Sequence, residues 1–155
     1  MILTRFFSRQ CRLLLLALVF SLAAAGAHAE EIKLEAKLIW ASNEPKSPKK
    51  EHEPVDEATA VKLRKIRPEW KYFFVEKKVV KTVPSRGSNK FELSKACTLE
   101  ITELEGPRVE VKLVGNGKPV HKTIKEITKG SRFVYTGDDK HESAWMVIVT
   151  QLDEK

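Results

Sequence analysis

Residues 109–127 read VEVKLVGNGKPVHKTIKEI. Val109, Val111 and Leu113 alternate with Glu110 and Lys112, the period of two that buries one face of a strand. Gly115-Asn116-Gly117 follows, and Asn-Gly between alternating segments is the strongest short hairpin signal, because both residues tolerate the positive φ of a tight turn. Residues 119–127 are therefore expected to form the return strand, with Pro119 near its start. A hairpin needs further strands to bury its apolar face.

Those strands are legible on both sides of it. Ile32, Leu34, Ala36, Leu38 and Trp40 alternate with Lys33, Glu35 and Lys37, which predicts a strand buried on one face. Tyr72 to Val83 is rich in aromatic and β-branched residues and ends at Pro84. Phe91, Leu93, Cys97, Leu99 and Ile101 share one parity, as one long strand or two short ones broken at Lys95. Phe133 to Tyr135 is a further short run. Trp145 to Val149 is apolar on both parities and belongs in a central strand covered on both faces. Seven to eight short strands punctuated by turns predict a mostly β fold, an antiparallel β-sandwich or small barrel.

One helix interrupts the pattern. Asp56 is a capping residue, Glu57 lies in the first turn, basic residues gather toward Arg67, and Pro68 stops the helix, placing it near 56–67. Ala60, Leu63 and Ile66 are expected to face the domain. Before it, 41–54 is charged and holds Pro45, Pro48 and Pro54, and it reads as a mobile loop.

The chain has 155 residues, with 28 Lys and Arg against 21 Asp and Glu. Residues 1–29 have the three parts of a cleavable signal peptide: Arg5, Arg9 and Arg12 without acids, an apolar run from Leu13 to Ala25, and Ala27-His28-Ala29 before a cut between Ala29 and Glu30. The apolar run falls short of the roughly 20 residues that span a bilayer, so no stable membrane anchor is expected after cleavage. The predicted location is the periplasm or the cell exterior. Removing three arginines leaves 25 basic against 21 acidic groups on residues 30–155, which form a single β-rich domain. That modest, dispersed excess lacks the clustering of a nucleic-acid binder, so no nucleic acid is expected as a partner. Cys97 is the one cysteine beyond the leader and has no internal disulfide partner there.

Residues 60–150 resemble a family of small exported bacterial proteins of uncharacterised function. The likeness is carried by Lys62-Leu63-Arg64-Lys65-Ile66, Trp70-Lys71, Val83-Pro84, Cys97, Val109-Glu110-Val111-Lys112-Leu113 and Ala144-Trp145-Met146-Val147. Where that family's pattern has Gly-Gly before the last strand, this chain has Thr136-Gly137. The resemblance implies a β-rich exported domain and no particular activity.

No catalytic constellation emerges from the spacing. Glu35, Glu92, Glu100 and Glu110 lie on polar parities, where they face water, and Asp138 and Asp139 read as turn residues. His52, His121 and His141 have no ligand spacing for zinc, so no metal and no cofactor is expected. His121 is placed on the polar parity of its strand. Cys97 shares parity with Leu93 and Leu99 and reads as a small buried hydrophobe. No serine sits in Gly-x-Ser-x-Gly, and Gly115-Asn116-Gly117-Lys118 leads into a strand, not a phosphate-binding helix.

Surface recognition remains. Trp70, Tyr72 and Phe74 form the most aromatic stretch and are candidate binding residues with Lys77, Lys78 and Lys81. Lys118, Lys122, Lys125 and Lys129 make a second basic group, and the two would form one patch if they adjoin. Lysines equally protect edge strands from unwanted pairing. Trp40, Trp70 and Trp145 are expected as core anchors before ligand platforms, Trp40 and Trp145 because they belong to apolar strand faces. The function expected is an exported, non-catalytic interaction or accessory module for an unknown envelope or extracellular protein, acting through a sheet edge or the aromatic stretch. The alternatives are a small cell-envelope hydrolase and a binder of an anionic envelope polymer through the lysine-rich strands.

Overall fold

A computed structural model describes residues 31–139 and 142–153. The leader, its cleavage point between Ala29 and Glu30, and His141 lie outside the described residues. Among the described residues nine strands and one helix follow in order: β1 (Ile32–Ser42), β2 (Glu53–Pro54), α1 (Glu57–Ile66), β3 (Tyr72–Val83), β4 (Ser88–Ser94), β5 (Cys97–Glu103), β6 (Arg108–Gly115), β7 (Lys118–Glu126), β8 (Arg132–Asp138) and β9 (Ser143–Gln151). They build two antiparallel sheets, a five-stranded one in the order β2-β3-β1-β9-β8 and a four-stranded meander β4-β5-β6-β7. Neither sheet closes on itself, so the protein is a β-sandwich and not a barrel.

The strand beyond the expected seven to eight is β2. Its two residues pair Glu53 with Val75 and Pro54 with Phe74 at the edge of the larger sheet, the position where proline's missing donor is harmless. The connection expected over 41–54 is thereby shortened at both ends, since β1 continues to Ser42.

Alternation places the main core between the sheets. Leu34, Ala36 and Leu38 of β1 and Val147 and Val149 of β9 meet Phe91, Leu99, Ile101, Val111 and Leu113 of the meander. The opposite parity of β1 and β9 faces the helix. There Ile39, Ala41, Met146 and Ile148 pack with Phe73, Ala60 and Leu63 in a second core. This explains why Trp145 to Val149 is apolar throughout: β9 lies between β1 and β8 and is covered by a sheet on one side and the helix layer on the other.

Asp56 caps α1 by accepting from the Thr59 backbone N–H at 2.9 Å, and Arg67 ends it with its N–H on the Leu63 carbonyl. Ala60 and Leu63 are buried, whereas Ile66 is 46% exposed. The helix face is thus narrower than the spacing of three suggested, because the last turn overhangs the sheet. The Phe91–Ile101 stretch resolves into two strands turning at Lys95-Ala96. Asn116 and Gly117 have φ of 50° and 75°, the conformation a tight hairpin turn demands.

Candidate functional site

At one end of the sandwich the β4–β5 turn, the β6–β7 hairpin and Asp138-Asp139 at the end of β8 surround a cleft of about 500 Å³ between the sheets. The two turns on the meander side are tied together, the Asn116 N–H donating to the Ala96 carbonyl at 2.8 Å. Leu38 and Leu113 supply apolar lining, and Trp40 and Trp145 contribute their indoles. The sequence placed both tryptophans in the core. They are half-buried, paired across β1 and β9, and line the opening as well as the interior. Trp40 is braced by Phe74, with ring centroids 5.9 Å apart, and Trp145 lies over Gly137 of the neighbouring strand.

Glu76, Asp138 and Asp139 also line the cleft. Glu76 is there because β3 carries a bulge: Leu38 pairs with Lys77 and Ile39 with Val75, leaving Glu76 without a partner in the register. Its carboxylate accepts from Lys49 Nζ at 2.9 Å. Asp138 accepts from the Arg67 guanidinium, which also donates to Thr136 Oγ1 at 2.7 Å and to Glu69 Oε1 at 2.6 Å. Asp139 closes the β8–β9 connection through its N–H to the Ser143 carbonyl at 2.9 Å.

Cys97 enters the cleft half-buried. Burial pushes its thiol pKa up, and the negative charge of Glu76 adds to this. The neutral thiol is therefore favoured, the reverse of what an activated cysteine nucleophile requires. Among the described residues no three His, Cys, Asp or Glu side chains gather as a metal site.

The expected aromatic stretch does not present itself as one surface. Tyr72 is exposed, but Phe74 is buried against Trp40, and Trp70 is half-buried against the helix-side core with its Nε1 lacking a hydrogen-bond partner. Lys77 and Lys78 are exposed, Lys78 reaching Glu35 at 3.4 Å. Lys81 instead donates to the Lys90 carbonyl at 2.6 Å, joining β3 to β4. That contact places the Lys77–Lys81 group beside β4, while Lys118, Lys122 and Lys125 lie on β7 at the far edge of the meander. The two basic groups do not adjoin.

β7 itself is open. Eight of its nine residues are exposed, including Val120 at 58% and Ile124 at 56%. A bulge sets its register, Val114 pairing with Pro119 and Leu113 with His121, so Val120 is the extra residue. His121 consequently follows Leu113 onto the inner parity, not the polar one that simple alternation assigned. Its ring lies 5.5 Å from that of Tyr135 in β8. Among the described residues the Tyr135 hydroxyl finds no hydrogen-bond partner, and burial drives its pKa up to about 12.

Fold and surface together define a helix-covered β-sandwich with an end cleft and one uncovered meander edge. No protein family, curated protein or solved structure matches this chain.

Proposed function

We propose that this protein is an exported, non-catalytic interaction module that adds an extended, acidic segment of a partner protein to the open edge of β7. The observation that carries the reading is β7, a nine-residue terminal strand of the meander with nearly every residue exposed. An edge strand offers a row of unpaired backbone groups on which an incoming strand makes main-chain hydrogen bonds, and alternate side chains then select the sequence. Here the selecting side chains are Lys118 and Lys125, which pair with Gly115 and Val109 and so share a face, with the exposed apolar Val120 and Ile124; Lys122 lies on the other face and is engaged by Glu110 at 3.1 Å. The lysines repel a second copy of the same edge and favour carboxylates at alternating positions of the guest. The leader pattern of residues 1–29 supports export.

The reading is tested with the full chain and an eight-residue peptide alternating Glu and Val. Binding with slowed deuterium exchange confined to β7 amides, weakened about tenfold by the K118E/K125E double substitution, supports it. Polyglutamate matching the peptide in affinity, with no β7 protection and collapse at high salt, assigns the lysines to an anionic polymer and overturns the strand-addition reading.

A further inference from the structure

Besides the β7 edge, we propose that the cleft between the sheets, which Val120 of β7 also lines, is a binding site for a small organic cation with an apolar or aromatic body. Its volume of about 500 Å³ lies in the range that encloses a small ligand. Two indoles, Trp40 and Trp145, line it, with Leu38 and Leu113 on either sheet. Three of the lining residues are acids, Glu76, Asp138 and Asp139.

The chemistry selects one kind of guest. A quaternary or alkylated ammonium is weakly hydrated and loses little on entering an indole-lined space, where the ring quadrupoles attract it. A metal cation would have to shed its water without a gathered set of ligands, and a phosphate or carboxylate would meet Glu76, Asp138 and Asp139. Two of the acids are held by neighbours outside the cleft. Asp138 is anchored by Arg67, and Glu76 is engaged by Lys49, whose side chain is 59% exposed. An exposed pair of that kind is worth little, so Glu76 turns toward an arriving cation at small cost. Its field already reaches into the cleft, since it contributes to the raised pKa of the Cys97 thiol.

The test titrates the full chain with benzyltrimethylammonium, using benzyl alcohol as the uncharged comparator, and follows tryptophan fluorescence. Ala96 is exposed in the β4–β5 turn at the mouth, so A96R places a guanidinium across the opening without touching the core. The expected result is saturable quenching by the cation, at least about fivefold weaker for the alcohol. E76Q weakens the cation and leaves the alcohol unchanged, and A96R removes the response while the melting temperature stays that of the parent. No saturable response, equal affinity for the alcohol, or unaltered cation binding in A96R overturns the proposal. Amide exchange in the part of β7 beyond Val120, from Lys122 to Glu126, reports the other site separately and is expected to ignore the cation.

Discussion

Gly137 and Trp145 face each other across the β8–β9 pair, and a Cβ built at 137 would collide with Cζ2 of the indole. A glycine in an edge strand is ordinarily a weakness, and here the aromatic ring occupies the space its missing side chain leaves. The same ring is a wall of the cleft, so strand geometry and site geometry meet at this one pair.

G137A is accordingly expected to displace the indole and to destabilise the fold by about 1–3 kcal/mol, the usual cost of overpacking. Urea denaturation measures the loss, and the altered tryptophan emission of the folded state reports the displaced ring. Unchanged stability and emission would show that the ring does not occupy that space.

The helix layer supplies a matched pair of substitutions. Leu63 is 2% exposed, whereas Ile66 is 46% exposed. L63A should cost about 2–5 kcal/mol as a cavity opens under the helix, and I66A should stay within about 0.5 kcal/mol. Equal losses at both positions would mean that the last helical turn packs as the sequence periodicity suggested.

Arg67 joins the helix exit to β8 through Thr136 and Asp138 and also holds Glu69. Its planar fork serves three acceptors at once, which a lysine cannot do. Both R67A and R67K are expected to lower the melting temperature, with R67K recovering less than half the loss. Faster deuterium exchange should appear first in β8. Full recovery by lysine would reduce the contact to a simple charge pair.

Glu35 gives stability an acid limb. Burial raises its pKa, but the hydrogen bonds and charges of Lys37 at 2.9 Å and Lys78 at 3.4 Å outweigh this and hold it below the usual glutamate value of 4.5. A depressed folded pKa means stabilisation that is fully present above the unfolded value and lost as pH falls through the folded one. Melting temperature should therefore decline from pH 4.5 downward, and E35Q should decline less steeply over that interval. A parent and variant with superimposable acid limbs would remove Glu35 from the account.

Strand positions were readable wherever one face is apolar and the other wet, as in Ile32–Trp40 and Val109–Leu113, because the pleat imposes a period of two. Trp145–Val149 announced a doubly covered strand for the related reason that both faces avoid water. The site was far less legible. Cys97 was recognisable as apolar in character, but its neighbours come from β3, β6 and the β8–β9 connection. Glu76 enters the cleft through a bulge that leaves no mark in the alternation. A bulge likewise turned His121 from the polar parity to the inner one. Phe74 looked like part of a contact surface because it sits in an aromatic run, and only the packing against Trp40 withdraws it.

Taken alone, the order of residues determined that this chain is β-rich, where the helix α1 begins and stops, and that Asn116-Gly117 turns a hairpin. These are local matters, governed by φ preferences, capping and the alternation of apolar side chains. Tertiary structure alone decided that the sheets remain an open sandwich, that the two lysine groups lie on opposite flanks, and that acids and indoles from distant segments share one cleft. Such features depend on how strands pair and where a bulge shifts the register, and pairing is chosen by the packing of the whole core.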